Sequence, residues 1–317
     1  MNFPLEIDKM SEKVYTMGII IDEIDLEYKG SIFLMEPPTS NTYVFDPESP
    51  TEMARLINQD RAVTQAMGGP LLGITDPSSL HNILDLGSGP GGWALDAAFA
   101  LPEADIEGVD ISRTMVSYAN ARARTQQLPN ASFGVMDLTQ PLEFPDASFD
   151  LVSGRYLFPV LKRDVWSPFL SECTRVLRPG GILRLSESLN FGHTSSAAFN
   201  RLGSLIMQAF CQEGYGFSPD GLTFGVDHIL PTLVRQQGYQ PVQLMAHPID
   251  FTAFSADTYH NVEIIGYQVK PRLIKLGLIT SEAFDELLQQ TLIDILSETF
   301  CGLGYLFTVL GHKPPAS

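Results

Sequence analysis

A glycine-rich turn between residues 83 and 92 is the feature of this sequence that most clearly predicts chemistry. The run Ile83-Leu84-Asp85-Leu86-Gly87-Ser88-Gly89-Pro90-Gly91-Gly92 places an apolar strand before a tight turn and a helix after it. Glycines let the chain turn sharply and let a ligand approach bare backbone. The segment therefore predicts a ligand-binding turn formed by Asp85, Gly87, Ser88, Gly89 and Gly91.

The same turn is compatible with two kinds of cofactor. Gly87, Gly89 and Gly92 fit the dinucleotide pattern G-x-G-x-x-G, so an NAD-dependent oxidoreductase is one interpretation. In a dinucleotide site the helix N-terminus neutralises a pyrophosphate, and the carboxylate of Asp85 would repel that anion. A ligand that carries an ammonium group would instead be attracted to Asp85. The negative charge of Asp85 therefore favours an ammonium-bearing ligand over a dinucleotide.

Two further carboxylates end the next two predicted strands. Asp110 follows Gly108 and Val109, where it could accept hydrogen bonds from both hydroxyls of a ribose, a feature that NAD sites share. Asp137 ends the third strand and suits an adenine amino group. Asp110 could instead cap the helix that begins near Ser112, and Asp137 could be a loop acid.

These motifs, together with two later ones, resemble in order the motifs of class I S-adenosylmethionine-dependent methyltransferases. Residues 85–91 resemble the first motif of that family, and Asp110 and Asp137, flanked by Ile111 and Leu138, fall where its ribose and adenine acids fall. Residues 144–150 resemble its fourth strand with the preceding turn, and residues 175–181 resemble the turn before its fifth strand. The resemblance covers about residues 82–187, with Met136 in place of a common glycine, and implies S-adenosylmethionine as the cofactor.

The resemblance also implies a reaction, the transfer of the sulfonium methyl group to a nucleophile by in-line displacement. Such a reaction depends on alignment of the reacting atoms, and a hydroxyl or protonated amine would also need a general base. Ligands of open α/β sheets bind beyond the carboxyl ends of the strands. This rule predicts site residues at Ser153, Arg155 and Tyr156 after the fourth strand, of which Ser153 and Arg155 are expected to contact the cofactor, and at Glu187 after the fifth.

The candidate general bases are Glu187, His193 and His260, with Tyr156 or Tyr259 as orienting groups. His260 has the alternative of a capped or surface histidine, and His193 the alternative of a position away from the site. Arg155 is open to two interpretations, a clamp for a substrate carboxylate or a partner of a structural acid.

Alternating strands and helices must position these residues. Short apolar runs predict strands at 82–86, 105–109, 131–136, 149–153, 181–186, 241–246 and 305–310, and a β-like run lies at Gly18–Ile21. Helices are predicted at 91–100, 112–126 and 163–177, and at 50–67, where Ser49 is a capping residue, Pro50 the first helical residue and Glu52 the third residue after the cap. The pattern predicts an α/β fold with a doubly wound, mostly parallel, seven-stranded Rossmann-like sheet and helical inserts that form a cap.

The predicted organisation has six parts. They are an N-terminal extension and helix (1–80), a cofactor-binding core (81–188), a helical insert (189–235), a core strand (236–250), a second helical insert (251–301), and a final core strand with a tail (302–317). The helical stretches Leu189–Gly214 and Phe254–Phe300 carry many apolar residues and predict a lid that selects the acceptor. Their apolar stripe at 284–296 has two alternative interpretations, which are packing onto the core and the face of a homodimer.

The bulk composition narrows the class of partner. The chain has 317 residues and a net charge of −17, which would repel a phosphate backbone, so nucleic acid is not expected as a substrate. Its three cysteines are scattered, which predicts neither disulfides nor a metal site. No signal peptide or membrane span is evident, and a cytoplasmic protein is expected.

The sequence predicts methyl transfer to a small, partly apolar molecule. It leaves open the identity of that molecule and whether oxygen, nitrogen, sulfur or carbon is methylated. A cofactor-binding protein without transferase activity is a further alternative, because the same motifs would serve it.

Overall fold

The sheet of the protein has the predicted strand order along the chain. The computed structural model describes residues 43–252 and 255–315, so the predicted run Gly18–Ile21 lies outside the described residues. Eight strands are present in this part of the chain: β1 (Asn82–Leu86), β2 (Asp105–Asp110), β3 (Ala131–Val135), β4 (Phe149–Arg155), β5 (Leu177–Ser188), β6 (His193–Thr194), β7 (Val242–Asp250) and β8 (Gly302–His312).

The first five strands form the parallel part of the sheet. Their spatial order is β3-β2-β1-β4-β5, and β8 follows, antiparallel to β5. β7 is antiparallel to β8, and the two-residue β6, which the sequence did not predict, pairs with the first residues of β8. The predicted doubly wound, mostly parallel sheet is confirmed, with the short β6 added to seven long strands.

Eight α-helices in the described residues connect and cover the strands: α1 (Pro50–Ala66), α2 (Gly92–Ala100), α3 (Arg113–Thr125), α4 (Trp166–Val176), α5 (Ala197–Gln212), α6 (Val226–Gln236), α7 (Ser255–Lys275) and α8 (Ser281–Ile295). α6 lies inside the predicted insert 189–235, but it packs against β5, β7 and β8 as a crossover helix of the core. None of the described helices combines the length and apolarity that a membrane span requires.

Helix α1 begins as predicted, with one difference in the capping residues. The Ser49 hydroxyl accepts a hydrogen bond from the Glu52 N–H, and Pro50 occupies the first turn. The Glu52 side chain does not complete a capping box with Ser49, because its carboxylate is buried and bound to Tyr43 and Arg55. Glu52 therefore belongs to the packing of α1 against the rest of the molecule.

Both faces of the sheet are covered by helices. Ile83, Ile106 and Leu151 pack with side chains of α2 and α3 on one face. Leu84, Val152 and Leu183 pack with α4 and α6 on the other. Because both faces of a parallel sheet are buried, its strands are almost continuously apolar, and polar residues inside them stand out.

Strand order reverses at β1, which lies between β2 and β4. In such sheets the crevice for a ligand opens at the carboxyl ends of the strands on either side of this point. Helices α5, α7 and α8 pack against one another, and α1 packs against α7. The apolar stripe of α8 lies in this packing, with Phe284, Leu288 and Ile295 buried.

Candidate functional site

A cavity of about 320 Å³ opens beyond the carboxyl ends of β1 to β4. The glycine-rich turn and three carboxylates, those of Asp85, Asp110 and Asp137, line one end. Residues of α1, α5 and α7 line the remainder. This is the location that the rule for open α/β sheets predicts, and both predicted inserts contribute to its walls through α5 and α7.

Asp85 presents a buried carboxyl group to the cavity. The residue is 4% exposed, and no hydrogen bond from the described residues reaches its oxygens. Burial raises the pKa of Asp85 to about 7; nearby Asp60 and Asp110 act in the same direction, whereas the guanidinium groups of Arg155 and Arg184 lower it. A cation entering the cavity would favour the ionised form of this group.

The backbone of the glycine-rich turn lies against the cavity at Gly87, Ser88 and Gly89. Gly87 has a φ of +68°, which disfavours other residues, and a Cβ there would meet Leu157 at 3.0 Å. The predicted contact at Gly91 is not supported, because Gly91 does not line the cavity. A Cβ on Gly91 would meet Ala119 and Phe133 at 2.8 Å, so this glycine serves helix packing.

Asp110 faces the cavity and also accepts backbone hydrogen bonds, but it is not the predicted cap of α3, whose N-cap is Ser112. Its Oδ2 accepts from the Gly89 N–H at 2.8 Å, and its Oδ1 accepts from the Ser112 N–H at 2.9 Å. Ser112 itself caps α3 by accepting from the Met115 N–H. Burial raises the pKa of Asp110, and the two backbone hydrogen bonds oppose that rise. Each oxygen keeps a second lone pair for a ligand hydroxyl.

Asp137 lies on the same cavity wall, at the end of β3. Its Oδ1 accepts hydrogen bonds from the N–H of Thr139 at 2.9 Å and from the Thr139 hydroxyl at 2.7 Å. Leu138, Ile111 and Met136 line the cavity beside it. Apolar side chains around one carboxylate can enclose a flat ring and recognise one polar edge.

Arg155 and Ser153, both on β4, have different surroundings. Arg155 lines the cavity, and its guanidinium binds the carboxylate of Asp60 and the Thr64 hydroxyl on α1. Of the two interpretations of Arg155, the geometry therefore favours a partner of a structural acid. Ser153 was predicted to bind cofactor, but it is fully buried within the sheet and does not line the cavity.

Tyr156 follows β4 with an unusual backbone conformation. Its φ is +55°, a left-handed value that is uncommon for residues other than glycine. The side chain lines the cavity, and burial raises the pKa of its phenol. Strain of this kind persists where surrounding contacts hold a side chain in place. In this protein the contacts are the packing of Tyr156 against Val63, Met67 and Leu306.

Glu187 was predicted as a general base at the end of β5, but it does not line the cavity. It is fully buried, and its carboxylate accepts hydrogen bonds from the N–H groups of Leu157 at 2.7 Å and Phe158 at 3.4 Å. Burial raises its pKa to about 8, against the effect of these hydrogen bonds. Glu187 holds the loop that follows β4, which carries Tyr156.

The two candidate histidines lie at or outside the edge of the cavity. His193 is exposed on β6, with Nε2 at 3.3 Å from the Asn190 amide nitrogen, and it does not line the cavity. His260 is at the rim, with its side chain 67% exposed and Nδ1 at 3.8 Å from Glu263. The position of His193 contradicts its prediction as a base, whereas His260 stays a candidate.

Sequence reasoning missed a polar network on α1. The carboxylate of Glu52 binds the Nε and Nη2 of Arg55 at 2.8 and 2.6 Å, and it accepts from the Tyr43 hydroxyl at 2.7 Å. Arg55 also donates to Asn261 of α7 at 3.0 Å. Glu52, Arg55 and Gln59 share one helix face at spacings of three and four, which is a signal that the sequence did contain.

A second feature missed from the sequence is Arg184, buried in the middle of β5. It is 0% exposed, its guanidinium lies 5.9 Å from the Trp93 ring, and its nitrogens have no hydrogen-bond partner among the described residues. Strand register places it in one row with Ser153 and Asp85. Burial lowers its pKa to about 10, so it remains a cation at neutral pH.

The other end of the cavity is apolar and rich in phenylalanine. The phenylalanines there come from several elements and are Phe45, Phe158, Phe191, Phe199, Phe210, Phe224 and Phe251. The rings of Phe158 and Phe224 stack with centroids 3.9 Å apart. The cavity thus joins a polar end beside the sheet to an aromatic end beneath α5.

Comparison with known proteins gives a match in the same part of the chain. Residues 83–181 match the family described as "Methyltransferase domain". Methyltransferase str3 of Strobilurus tenacellus is 28% identical over 160 residues, which are 50% of this chain and 53% of that protein. Trans-aconitate 2-methyltransferase of Deinococcus radiodurans is 32% identical over 152 residues, 47% of this chain and 52% of the relative. The chain spans about half the length of these curated relatives.

Among solved structures, the chain is similar to phosphoethanolamine N-methyltransferase 2 of Haemonchus contortus in complex with S-adenosyl-L-methionine. The two are 20% identical, the TM-score is 0.46, and the match covers 81% of this chain and 57% of that chain.

Proposed function

We propose that this chain, whose core belongs to the class I S-adenosylmethionine-dependent methyltransferase family, transfers a methyl group from that cofactor to a small, partly apolar acceptor. The observation that carries the proposal is the set of carboxylates at successive strand ends. Asp85 is the penultimate residue of β1, Asp110 is the last residue of β2, and Asp137 lies two residues beyond β3; all three face one cavity beside the glycine-rich turn.

The polar end of the cavity fits the cofactor. Asp85 would bind its ammonium group, because this buried carboxyl lacks a donor among the described residues and a nearby cation would favour its ionised form. Gly87, Ser88 and Gly89 let the ligand lie against backbone. Asp110 would accept hydrogen bonds from the ribose hydroxyls while it holds the turn through the Gly89 N–H.

The adenine would lie at the end of β3. Asp137 keeps acceptor capacity beside its two hydrogen bonds from Thr139, which suits an exocyclic amino group. Ile111 and Leu138 would contact the ring faces, since both line the cavity next to Asp137. Met136 occupies the position where the family commonly has glycine and also lines this wall.

The chemistry requires alignment more than covalent assistance. When bound, S-adenosylmethionine supplies a sulfonium methyl group that a nucleophile of the acceptor displaces in line. The chain contributes by orienting both ligands in one cavity, which makes an otherwise bimolecular step effectively unimolecular. The apolar walls from α5 and α7 would exclude water around the reacting atoms.

Tyr156 is the side chain best placed to orient the acceptor. It lines the cavity directly after β4, it is held in a strained conformation, and its raised pKa keeps the phenol protonated at neutral pH. It would therefore act as a hydrogen-bonding group. His260, at the rim, is the remaining candidate for a general base.

Titration calorimetry with S-adenosylmethionine, S-adenosylhomocysteine and NAD tests the proposal. Binding of the first two and not of NAD is expected, because Asp85 would repel a pyrophosphate. Asp110→Ala should weaken cofactor binding by about 1–3 kcal/mol, since buried hydroxyls lose a charged acceptor. Asp96→Ala is the matched control, because this exposed acid of α2 lies outside the cavity.

Two outcomes would contradict the proposal. Tight NAD binding without binding of the sulfonium cofactor would favour an oxidoreductase. Cofactor binding with no formation of S-adenosylhomocysteine across a broad acceptor panel would favour a binding protein without transferase activity.

A further inference from the structure

The cations that face the cavity are already engaged by the protein. Arg55 and Arg155 are the arginines among the described lining residues, and no lysine lines the cavity there. Arg55 is 5% exposed and forms a two-point ion pair with Glu52, which is 0% exposed. Its Nη1 donates to Asn261 and Gln59. Little donor capacity of Arg55 is left for a ligand.

Arg155 is engaged in the same way. Its Nη2 binds the carboxylate of Asp60, and its Nη1 donates to the Thr64 hydroxyl at 3.0 Å. A carboxylate or phosphate on the acceptor could pair with Arg55 or Arg155 only by displacing one of these internal partners. The displaced Glu52 or Asp60 would then be left as an uncompensated charge in a region of low exposure.

The acids of the cavity add to this effect. Asp85, Asp110 and Asp137 face the same space, so its potential is negative and favours a cationic ligand at the polar end. The whole chain carries a net charge of −17. An anionic acceptor would therefore be disfavoured on approach and again on burial.

The aromatic end of the cavity indicates which acceptors can bind in place of anionic ones. Seven phenylalanines from α5, from the loops after β4, β5 and β7 and from two further loops line it, and the Phe158 and Phe224 rings already stack with each other. Aromatic walls of this kind favour flat, apolar ligands by offset stacking and edge contacts. The guanidinium of Arg55 lies 5.6 Å from the centroid of the Phe45 ring at this end, where Glu52 pairs with it. Ser188 and Asn190, which also line the cavity, are uncharged.

We propose that the acceptor is an uncharged, ring-bearing compound and that the cavity rejects analogues with a carboxylate or phosphate. The inference rests on the proposed function, because it names the substrate class of the same site. It assigns Glu52 the role of a specificity residue, which acts through Arg55 by occupying its guanidinium.

The test uses two compounds of nearly equal size that differ in charge. Methyl 6-hydroxy-2-naphthoate and 6-hydroxy-2-naphthoate are titrated into the protein saturated with S-adenosylhomocysteine. The ester is expected to bind at least about tenfold more tightly than the acid, because burial of an unpaired carboxylate is costly. Equal or tighter binding of the acid, or failure of both compounds to bind, would overturn the inference.

The variant Glu52→Gln tests the role of the ion pair. It leaves Arg55 without its counter-charge, so the acid should gain at least about tenfold in affinity relative to the ester. Asp285→Asn is the matched control, since it removes one exposed acid of α8. An unchanged ratio in folded Glu52→Gln would contradict the role of Glu52. If this variant does not fold, the comparison of ester and acid in the unaltered protein still decides the substrate class.

The cofactor titration separates this inference from the proposed function. Failure of S-adenosylhomocysteine to bind would contradict the function itself. Normal cofactor binding with a preference for the acid would contradict the inference alone.

Discussion

The Asp85 carboxyl group is buried on the protein side and open toward the cavity, so its ionisation should control cofactor binding. In the free protein its pKa of about 7 lies above the ordinary value of 3.8, and below pH 7 the group is largely protonated. A bound ammonium group requires the ionised form. Cofactor affinity should therefore rise as the pH increases toward 7 and level off above it.

Calorimetry with S-adenosylhomocysteine between pH 5.5 and 8.5 measures this dependence. Asp85→Asn should abolish it and weaken binding at pH 8 by about 1.5–3 kcal/mol, because a charge-assisted hydrogen bond is lost. Asp96→Asn should keep the profile of the unaltered protein, since Asp96 does not face the cavity. A flat profile in the unaltered protein would show that Asp85 is ionised throughout or does not contact the cofactor.

Tyr156 and His193 make a second pair of predictions at the residue scale. Tyr156→Phe removes a hydroxyl that lines the cavity, so methyl transfer should fall by about tenfold or more with cofactor affinity retained. His193→Ala should leave turnover unchanged, because this histidine is exposed outside the cavity. Both are measured as the rate of S-adenosylhomocysteine formation with a working acceptor. Loss of activity in the His193 variant alone would contradict the placement of Tyr156 in the site and of His193 outside it.

At the scale of elements, Glu187 connects β5 to the loop that follows β4. Its pKa of about 8 exceeds the ordinary value of 4.5, so the folded state retains a proton that the unfolded chain has lost. The contribution of this group to the free energy of unfolding is therefore full below about pH 4.5 and lost as the pH rises through about 8.

Glu187→Gln should remove this dependence while its amide oxygen keeps the hydrogen bond from the Leu157 N–H. The free energy of unfolding of Glu187→Gln should then be compared with that of the unaltered protein at pH 5.5 and at pH 8.5. Relative to the unaltered protein, the variant should gain at least about 1 kcal/mol on going from the lower to the higher pH. Glu187→Ala leaves two buried N–H groups without an acceptor and should be destabilised by about 1–3 kcal/mol. Urea unfolding at the two pH values measures both effects, and a constant difference would contradict the buried titration of Glu187.

For the whole molecule, the net charge of −17 predicts a strong effect of salt on stability. Repulsion among like charges destabilises the compact state and is screened within about 8 Å at 0.15 M salt, against about 30 Å at 0.01 M. The Tm should therefore rise by about 2 °C or more between these salt concentrations. A variant with Asp105→Asn, Glu286→Gln and Glu298→Gln, all exposed positions, should show a smaller rise by calorimetry. An equal rise would point to an effect other than screening.

The predicted homodimer remains a prediction at this scale. Ile293 and Leu296 at the end of α8 are large apolar side chains that are 56% and 66% exposed. Size-exclusion chromatography with light scattering would establish the oligomeric state.

The sequence by itself determined the sheet and the polar end of the cavity. Short apolar runs that alternate with helices indicate parallel strands, and parallel strands bring their carboxyl ends to one edge. Acids at or just beyond the carboxyl ends of three such strands, Asp85, Asp110 and Asp137, must then lie near one another. The glycine-rich turn is encoded within a few residues, so no distant contact was needed to predict it.

Only the tertiary structure decided the rest of the site. Arg55 and Asn261 are 206 residues apart in the chain, and no local pattern predicts that they meet. Glu187 and Ser188 are the last two residues of β5, yet only Ser188 lines the cavity, because successive side chains of a strand point to opposite faces. Periodicity shows that the faces alternate, but the packing of helices on each face decides which side chain reaches the cavity and which is sealed inside.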